Sequence, residues 1–456
     1  MPASPNAPHQ TGPHQTGPHQ TGPNQTGLHP LHRLWRRFPP EGRRLLLARL
    51  GARLAPKPDR RPPEHCRGVI VGGEVGRASG LGEAARIMHR ALDRIGVPTA
   101  ALQAGLDVPG EKAPGSASAP VAPDLPDGLA LLLHVNAPVL PAALLRLPRG
   151  LVRGRRVIGY WAWELQSVPP SWRPAASCVH EVWAPSAFTA AALETLLPGR
   201  VRVVPIPLAL SPPAPAPLGR AAFGLPEAAL VVLVSFSVAS AFERKNPLAA
   251  IVAFRKAFGD RPDRILLIKA GHAGHYPGDM DRLREAIDGC DNIRIETRML
   301  AEADMHALTR SADIVLSLHR SEGFGLVPAQ AMLLGRAVVA TDWSATAEFL
   351  DESCGVPVAC RLVEARDPRG VFQAPGAVWA DADTDAAAQA LRRLADAPEW
   401  RKALGERARL VAGERFGAEG LRRALAAIGY AGPQLSGPQL SEPQLSGYQH
   451  SGPGSD

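Results

Sequence analysis

The feature that most constrains this sequence is a regular alternation of short apolar segments and longer helical segments between residues 66 and 428. Each apolar segment is far shorter than the ~20 residues that a helix needs to cross a bilayer. The intervening segments carry apolar residues at spacings of three and four, which indicates helices packed on a core. Because strands that alternate with helices are typical of parallel sheets, we predict an α/β fold.

The predicted strands form two sets on either side of a proline-rich linker, LSPPAPAPLG, at residues 210–219. The first set lies at 67–73, 129–136, 155–164, 181–186 and 201–207, and the second at 230–237, 264–270, 292–297, 313–319 and 337–342. A chain of 456 residues is long enough to bury two cores. We therefore predict two Rossmann-like domains that face each other across a cleft, with ligands bound at the carboxyl ends of the strands.

The domain boundaries follow from these segments and from composition. We expect an N-terminal domain at 66–208, a C-terminal domain at 209–405 and a helix at 406–430 that returns to the N-terminal domain. Both ends of the chain consist of five-residue repeats rich in proline and glycine, with too few apolar residues to offset the entropy of ordering. Residues 1–27 and 431–456 are therefore predicted to be disordered tails.

A basic segment, residues 28–65, precedes the first predicted strand. Residues 28–60 contain nine Lys or Arg and two acids, a net charge of +7 in a chain whose total is +8. A nucleic-acid-binding fold would carry its charge on a structured face, so we expect no nucleic-acid partner. Two interpretations stay open: the segment binds an anionic membrane surface, or it packs on the domain as an amphipathic helix with solvated arginines.

Cysteine and acid spacing argues against a metal site. The five cysteines are odd in number and contain no CxxC pair, which indicates reduced thiols in a cytoplasmic protein. The acidic pair in GDMD (278–281) lies in a polar loop rather than at a strand end. We expect neither a metal nor a cofactor. Because the first residues lack a secretory signal, we expect a cytoplasmic location, and peripheral attachment to the inner face of the membrane stays open.

Glycine and charged residues follow several of the predicted strands. Gly73 lies in a glycine-rich turn after the first strand, where backbone N–H groups and a helix N-terminus can approach an anion. This turn lacks the spacing of a dinucleotide-binding motif, which disfavours an oxidoreductase. Arg244 and Lys245 suit a diphosphate, although a solvated basic pair is the plainer interpretation. Glu322 follows a later strand, in the loop RSEGFG, at the same predicted edge as Lys245.

These motifs resemble those of a known family. SEGFGLVPAQAMLLGRAVVATDWSATAEFLD resembles the nucleotide-sugar motif of family 4 retaining glycosyltransferases of GT-B fold, and ERKNPLAAIVAF resembles their phosphate-binding segment. GYWAWELQSVPPSW and EVWAPSAFTAAAL resemble a bacterial polysaccharide-assembly branch of the family. The resemblance covers roughly residues 66–428. It implies that a sugar moves, with retention and without a metal, from a nucleotide-diphosphate sugar on the C-terminal domain to a glycan or lipid-linked glycan on the N-terminal domain.

The resemblance also implies roles for single residues. Glu322 would contact the transferred sugar, and Lys245, with Arg244 as its neighbour, would stabilise the departing diphosphate, so these three are the expected catalytic residues. The other donor-binding residues that it implies are Gly323, Phe324, Gly325, Leu326, Gln330, Gly73 and His134.

Two departures from the family pattern matter. The second Glu of the family pair, which bonds the ribose hydroxyls, is Gln330 here, and an amide can still hydrogen-bond to hydroxyls. The family's separate arginine falls near Ala239, which leaves Arg244 as the only nearby substitute. The departures keep a second class open, a catalytically weak or inactive nucleotide-sugar-binding subunit of a polysaccharide-assembly complex. A membrane-associated scaffold that uses residues 28–60 is the third.

The candidate acceptor residues lie at the ends of two predicted strands of the first set. Trp161, Trp163 and Glu164 end a predicted strand, and aromatic faces beside a carboxylate suit a sugar or a lipid-linked sugar. The equal alternative is a pair of core tryptophans with a capping acid. His134 and Asn136 end another strand; His134 resembles the position from which a first-domain side chain reaches the donor sugar, with a packing histidine as the alternative.

Overall fold

The computed structural model of the protein describes residues 40–106, 125–372 and 376–432. Within these ranges the chain forms two parallel six-stranded sheets and one two-stranded antiparallel sheet. The predicted α/β class with two Rossmann-like halves is therefore confirmed. The predicted N-terminal tail, residues 28–39 and nearly all of the predicted C-terminal tail lie outside the described residues.

The first sheet has the strand order β2-β1-β3-β4-β5-β6, and we call residues 40–208, which carry it, the N-terminal half. Its strands are β1 (Gly68–Gly73), β2 (Thr99–Gln103), β3 (Leu129–His134), β4 (Val157–Tyr160), β5 (Glu181–Ala184) and β6 (Val201–Val203). Its helices are α1 (Pro40–Leu54), α2 (Gly80–Arg94), α3 (Leu140–Leu145) and α4 (Ala187–Glu194).

The second sheet has the strand order β12-β11-β10-β7-β8-β9, and we call residues 209–415, which carry it, the C-terminal half. Its strands are β7 (Leu230–Ser237), β8 (Arg264–Gly271), β9 (Ile293–Glu296), β10 (Ile314–Ser317), β11 (Ala337–Thr341) and β12 (Val356–Val358). Its helices are α5 (Phe242–Lys245), α6 (Pro247–Phe258), α7 (Pro277–Ala286), α8 (Glu302–Ser311), α9 (Leu326–Leu333), α10 (Thr384–Asp396) and α11 (Pro398–Arg415).

Burial explains why the central strands appear in the sequence as continuous apolar runs. Every residue of β1 and β3 is buried, because helices cover both faces of a parallel sheet of this kind. Helix α2 covers β1 with buried residues such as Ile87, Met88 and Ala91. It begins where the Ser79 side chain accepts a hydrogen bond from the Gly82 N–H at 3.1 Å, which satisfies one of the free donors of the first turn.

Several features differ from the sequence patterns. The helix expected at 406–430 is divided between α11 (Pro398–Arg415) and a separate helix at Glu419–Ala427. The edge strand β2 has only one buried residue and gave no apolar run. Strands β13 (Cys360–Glu364) and β14 (Val378–Ala382) form an antiparallel pair outside the two large sheets. The strand expected at 155–164 is shorter, since β4 ends at Tyr160 and the residues after it form a loop at the carboxyl edge of the sheet.

The end of the described chain returns to the N-terminal half through helix α12 (Glu419–Ala427). Its Leu421 and Leu425 share a core cluster with Val69 of β1. Beyond the helix, the Cys66 N–H donates to the Gly429 carbonyl at 3.0 Å, and the Ala431 N–H donates to the Cys66 carbonyl at 2.9 Å. The backbone therefore crosses twice between the halves.

The described residues contain neither a candidate membrane span nor a candidate metal cluster. None of their helices combines the length and the apolar character needed to cross a bilayer. No cluster of three or more His, Cys, Asp or Glu in the same ranges has the arrangement of a metal site.

Candidate functional site

A cavity of about 1070 Å³ lies between the halves, and residues from both halves line it. The N-terminal half contributes residues after β1, on α2 and after β4, and the C-terminal half contributes residues at the ends of β7, β8 and β10. The cavity thus sits where the carboxyl edges of two doubly wound sheets meet, which is where such sheets bind ligands. Its volume suits a ligand the size of a nucleotide or larger.

Glu322 and Lys245 meet in the wall of this cavity. Glu322 Oε1 lies 2.5 Å from Lys245 Nζ and 3.2 Å from Arg244 Nη1. The Glu322 N–H donates to Ser344 Oγ at 2.9 Å, which fixes the backbone of the loop that carries the carboxylate. The structure therefore brings together the three residues that the sequence predicted as catalytic.

The segment around Lys245 is held by two unusual backbone conformations. Helix α5 is a single turn that ends at Lys245, and it is bracketed by Ala241 at φ 71° and Asn246 at φ 51°. Asn246 donates from Nδ2 to the Leu318 carbonyl at 3.0 Å, which joins this turn to the end of β10. Non-glycine residues rarely adopt positive φ, so the surrounding contacts hold the turn that aims Lys245 into the cavity.

Arg244 lines the cavity, and its guanidinium also bonds to groups of the protein. Its Nη1 donates to the Ser321 carbonyl at 2.7 Å and its Nη2 donates to the Ser240 carbonyl at 3.1 Å. Nη2 also lies 3.5 Å from Glu164 Oε1 of the N-terminal half. The role of Arg244 at a diphosphate stays a prediction, and its guanidinium holds the two carboxylates and the loop before Glu322.

The two carboxylates beside Arg244 differ in their acidity. Burial alone would raise the pKa of Glu322, but the charges of Lys245 and Arg244 outweigh it and lower the pKa to about 2. Burial raises the pKa of Glu164 above its usual range, although Arg244 opposes the shift. Glu322 is thus a permanent anion near neutral pH, whereas Glu164 accepts a proton more readily.

The loop after Glu322 can be built only with glycine at two positions. A Cβ on Gly323 would lie 2.9 Å from the Trp163 carbonyl oxygen, and Gly325 has φ 90° with Thr346 Cγ2 at 2.6 Å from such a Cβ. The Gly323 carbonyl accepts from Ser186 Oγ at 2.7 Å, a bond that joins the halves. This loop leads into α9, whose first residue, Leu326, also lines the cavity.

Phe324 belongs to the same lining, but its ring packs inward. The ring lies beside the rings of Phe349 and Phe416, with centroid separations of 6.1 and 5.2 Å. Only the backbone of Phe324 is therefore available to a ligand, and its side chain anchors the loop to the core.

Gln330 lies on α9, on the wall of the cavity, and reaches across to the N-terminal half. Its Nε2 donates to Glu83 Oε1 of α2 at 2.5 Å and lies 3.5 Å from His306 Nε2. Close by, Glu302 pairs with Arg86 of α2, with Arg86 Nε at 3.3 Å from Glu302 Oε2. Sequence reasoning missed Glu83, Arg86, Glu302 and His306, because they lie on ordinary amphipathic helices and carry no motif.

Lys269 is a further cavity residue that the sequence patterns did not single out. It lies near the end of β8, is buried, and lines the same cavity as Lys245. Burial lowers the pKa of Lys269, although Glu296 opposes the shift. Its apolar strand, RILLIKA, indicated a buried strand end but gave no reason to choose the lysine.

Four predicted residues of the N-terminal half lie behind the cavity wall. Gly73 lies against β3 and α2: a Cβ there would be 3.1 Å from His134 Cβ and 3.2 Å from Ala85 Cβ. The His134 ring stacks on Tyr160 at a centroid distance of 4.3 Å, and neither of its nitrogens has a hydrogen-bond partner among the described residues. Burial lowers the pKa of His134 to about 3, so its ring is neutral.

Trp161 and Trp163 are also buried, in one core cluster with Trp172. Trp163 Nε1 donates to the Ser167 carbonyl at 2.8 Å, and its ring stacks on Phe372 at 5.3 Å. The expectation that their faces meet an acceptor therefore needs correction, because neighbouring rings already cover them. The core alternative fits this placement.

Glu164 and Asn136 do line the cavity. Asn136 uses its amide locally: Nδ2 donates to the Ala162 carbonyl and Oδ1 accepts from the Ala162 N–H, both at 2.9 Å. It therefore holds the loop that leads from β4 to Glu164. Of the two, Glu164 is the residue with a charged group at the cavity.

Comparisons with known proteins agree with this architecture. Residues 233–396 match the model of a family described as glycosyl transferases group 1. This region contains Lys245, Glu322 and Gln330 and none of the first sheet. A search of curated proteins finds no match.

Several solved structures share the fold. A sucrose-phosphate synthase from Thermosynechococcus elongatus superposes with a TM-score of 0.56 and 18% identity over 79% of this chain and 98% of that one. A glycosyltransferase from Rickettsia africae gives 0.54 and 14%, again over 79% and 98%. HepE of Anabaena, with UDP and glucose bound, gives 0.53 and 13% over the same shares. These likenesses show that the two-sheet architecture is of the GT-B type.

Proposed function

We propose that the protein is a retaining glycosyltransferase that moves a sugar from a nucleotide-diphosphate sugar to a glycan or lipid-linked glycan. The observation that carries the proposal is the Glu322–Lys245 pair, with 2.5 Å between carboxylate and ammonium, in the wall of the cavity between two Rossmann-like halves. The match of residues 233–396 to glycosyl transferases group 1 supports it. The UDP and glucose in the related HepE structure support a nucleotide-sugar donor.

Lys245, the start of α9 and Glu322 have different roles in the proposed reaction. The bond from the donor sugar to the diphosphate breaks, and a bond to the acceptor oxygen forms on the same face of the ring. Lys245 and the start of α9 stabilise the negative charge on the departing diphosphate, which takes up the acceptor proton. Glu322, ionised because its pKa is lowered to about 2, lies along the sugar and stabilises positive charge that develops there.

Glu164 and Arg244 connect the donor side to the acceptor side. We assign Glu164 to the acceptor, since it enters the cavity from the N-terminal half and is a carboxylate that can accept a hydrogen bond from a hydroxyl. Arg244 is a positioning residue, because it bonds both Glu164 and Glu322 and holds the loop at Ser321.

A donor panel tests the proposal directly. Purified protein is incubated with UDP-, GDP- and ADP-sugars and with glycan or lipid-linked glycan acceptors, and mass spectrometry follows the nucleoside diphosphate and the product. We expect release of one nucleoside diphosphate, and a product whose anomeric proton in the NMR spectrum shows the donor's configuration. A product of inverted configuration would overturn retention, and no release with any donor would overturn the transferase.

A second candidate function is a catalytically weak or inactive nucleotide-sugar-binding subunit of a polysaccharide-assembly complex. Ala239, which lines the cavity, stands where the resembling family has an arginine, and Arg244 donates to the Ser321 and Ser240 carbonyls. Calorimetry that shows nucleotide binding by a protein without transfer in the donor panel would support this candidate.

We also propose that α1 places the enzyme on an anionic membrane at the cytoplasmic face. Leu46, Leu50 and Leu54 lie four residues apart on one stripe of the helix, with Leu47 beside them, and are between 45% and 69% exposed. Ala48 and Ala52 of the same helix are buried. Exposed leucines among exposed arginines can contact an anionic membrane surface, where each basic residue contributes about 1 kcal/mol.

Sedimentation with lipid vesicles tests this attachment. Wild-type protein should sediment with vesicles that contain phosphatidylglycerol and far less with phosphatidylcholine alone, and the triple change Leu46→Ser, Leu50→Ser and Leu54→Ser should abolish the difference. Leu410→Ser is a matched control, since Leu410 is 60% exposed on α11. Equal sedimentation of wild type and triple variant would contradict the attachment.

A further inference from the structure

Another cavity, of about 640 Å³, lies in the N-terminal half. Its wall contains Arg156, directly before β4, Glu181, the first residue of β5, and Val201, the first residue of β6. The cavity therefore lies where the strands begin, at the edge of the sheet opposite to the cavity between the halves. We call it the amino-edge pocket, and its charged lining residues are Asp59, Arg60, Arg156, Glu181, Arg200 and Arg202.

The amino-edge pocket carries an excess of positive charge. Four arginines and two acids line it, which gives a net charge of +2 because His180 in its wall is neutral. The Nδ1 atom of His180 accepts from the Val157 N–H at 2.9 Å, and its Nε2 atom donates to the Asp59 carbonyl at 2.8 Å. Burial also lowers the pKa of this ring. An anion that enters the pocket therefore meets more cations than carboxylates.

Arg200 shapes the pocket through bonds to the backbone. Its Nε donates to the His180 carbonyl at 2.7 Å, and its Nη2 donates to the Ala176 carbonyl at 3.2 Å. Arg156 is partly used in the same way, because its Nη2 donates to the Pro63 carbonyl at 3.1 Å. These two arginines therefore contribute charge and hold the wall in place.

Arg60 and Arg202 are used less by the protein, since neither side chain makes a hydrogen bond to any of the described residues. Glu181 lies between two guanidinium groups: its Oε2 is 3.6 Å from Arg202 Nη2, and its Oε1 is 3.4 Å from Arg156 Nη1. The Nε atoms of Arg156 and Arg202 are buried and have no partner in the same ranges. One carboxylate is therefore shared by two guanidinium groups that keep free donors.

These free donors suit a phosphate group. A guanidinium presents parallel N–H donors that match two oxygens of a phosphate, and such charge-assisted bonds are stronger than neutral ones. A phosphate monoester carries a charge of about −1.5 to −2 near neutral pH, which balances the net charge of the pocket. A volume of about 640 Å³ leaves room for the molecule that carries the phosphate.

We propose that the amino-edge pocket binds a phosphate monoester, with Arg60, Arg156 and Arg202 as its donors. The site is separate from the proposed donor site, because the two cavities share no lining residue. The phosphate can belong to a soluble ester or to a lipid headgroup. The pocket lies beside the end of α1, the helix proposed to contact the membrane, since Lys57 Nζ donates to Ser177 Oγ of the lining at 2.6 Å.

A purely structural alternative is that the arginines only pair with the acids of the pocket. One of these acids is engaged by the backbone, because Asp59 Oδ2 accepts from the Gly154 N–H at 2.7 Å, and Glu181 is the acid that pairs with arginines. Under this alternative the pocket binds anions no better than an exposed arginine does. Arg202 could then be replaced without a change in affinity for a phosphate ester.

Calorimetry with glycerol 3-phosphate and the full-length protein tests the soluble ester. Arg202→Gln should weaken binding by roughly tenfold, the size expected for losing one charge-assisted hydrogen bond. Arg60→Gln should act similarly and serves if Arg202→Gln does not fold, because Arg60 is exposed in the segment after α1. Arg94→Gln is the matched control, since Arg94 is exposed on α2 of the same half, and it should bind like the wild type.

The charge of the ligand gives a sharper readout. Wild-type protein should bind glycerol 3-phosphate several-fold more weakly at pH 5 than at pH 7.5, because the ester takes up a proton near about pH 6. Sulfate keeps both negative charges at the two pH values, so its affinity should change little. An equal loss of affinity for both ligands would show that the protein titrates, and would overturn the assignment of a doubly charged phosphate.

Lys245→Ala separates this pocket from the donor site. Glycerol 3-phosphate bound in the amino-edge pocket should bind Lys245→Ala as it binds the wild type. Binding that is lost in Lys245→Ala and retained in Arg202→Gln would place the ester at the donor site and overturn the inference, while the proposed function would stand.

Sedimentation with vesicles identifies the source of the phosphate. Vesicles of phosphatidylcholine with phosphatidic acid, whose headgroup is a phosphate monoester, are compared at equal surface charge with vesicles that contain phosphatidylglycerol, a diester. A preference for phosphatidic acid that Arg202→Gln removes, with binding to phosphatidylglycerol retained, assigns the lipid headgroup. Equal sedimentation with both lipids, together with calorimetric binding, assigns a soluble ester. If Arg202→Gln changes neither measurement, the arginines only pair with the acids and the inference fails.

Discussion

The two halves have the same architecture and present different surfaces to the cleft between them. In the C-terminal half, residues that follow strands reach the cavity with charged side chains, as Lys245 and Glu322 do. In the N-terminal half, His134, Trp161 and Trp163 lie at or just after strand ends and are buried in packing. The N-terminal half therefore places these rings in its core and reaches the cavity from the loops that follow the strands, through residues such as Glu164.

Local backbone geometry accounts for the difference. The C-terminal half turns its chain with Ala241 and Asn246 at positive φ before α6 and with Gly325 before α9, and these turns aim side chains into the cavity. Among the described residues of the N-terminal half, no non-glycine residue has positive φ, and this half reaches the cavity from helix α2, through Glu83 and Arg86, and from loops after strands, through Glu74 and Glu164. A strand end indicates where a ligand binds, but the turn after it decides which side chain contacts the ligand.

The largest expected effect comes from removing the ammonium group of Lys245 in the C-terminal half. Lys245→Ala should lower sugar transfer by roughly 10²- to 10³-fold, the usual range for losing one preorganised charge at a developing anion. Arg244 cannot compensate, because it is bonded to Ser321 and Ser240. The measurement is nucleoside diphosphate release, with Lys256→Ala on the exposed face of α6 as control. If Lys245→Ala transfers sugar near the wild-type rate, the C-terminal half does not supply the cation that the reaction needs.

A smaller effect is expected on the stability of the protein when Glu322 is replaced. Glu322→Gln leaves Arg244 and Lys245 without their shared carboxylate, and should lower the free energy of unfolding at pH 7 by about 3 kcal/mol. Because the pKa of Glu322 is lowered from 4.5 to about 2, this contribution is complete above pH 4.5 and is lost as the pH falls towards 2. Urea unfolding of both proteins at several pH values measures the difference.

Two features of that comparison make it decisive. When the free energy of unfolding of Glu322→Gln is subtracted from that of the wild type, the contributions of the carboxylates that both proteins share cancel. A difference that stays constant from pH 7 to pH 3 would show that the carboxylate at position 322 gains nothing from its cations.

The smallest effect is expected at a strand end of the N-terminal half. His134→Phe replaces a neutral buried ring, whose nitrogens have no partner among the described residues, with an apolar ring that can still stack on Tyr160. The free energy of unfolding should change by no more than about 1 kcal/mol, and nucleotide binding measured by calorimetry should be unchanged. A loss of affinity of tenfold or more would assign His134 to the donor site instead.

Sequence patterns predicted the fold, and they selected most of the residues that the structure brings to the candidate site from the C-terminal half. Lys245, Glu322 and Gln330 lie in two continuous segments whose glycine, proline and apolar spacing determines their local structure. Both sets of strands could be predicted from the sequence, because strands buried on both faces appear as uninterrupted apolar runs. The edge strand β2 (Thr99–Gln103) could not be predicted in this way, since only one of its residues is buried.

The N-terminal contribution to the site could not be predicted in this way. Glu83 is one polar residue on an amphipathic helix, and its partner Gln330 lies 247 positions further along the chain. Trp161 and Trp163 followed the strand-end pattern, but their burial depends on Trp172 and Phe372, which come from other segments. Long-range packing of this kind leaves no local trace in the sequence.

The return of α12 to the first sheet has a consequence for biosynthesis. Cys66, directly before the earliest strand, takes its backbone hydrogen bonds from Gly429 and Ala431, which leave the ribosome more than 360 residues later. Domains usually fold in the order in which they emerge, but the N-terminal half must wait for the last helix before its core is complete. We expect ribosome-bound fragments that stop before residue 416 to leave apolar side chains that α12 covers, such as Val69 of β1, exposed and to depend on chaperones.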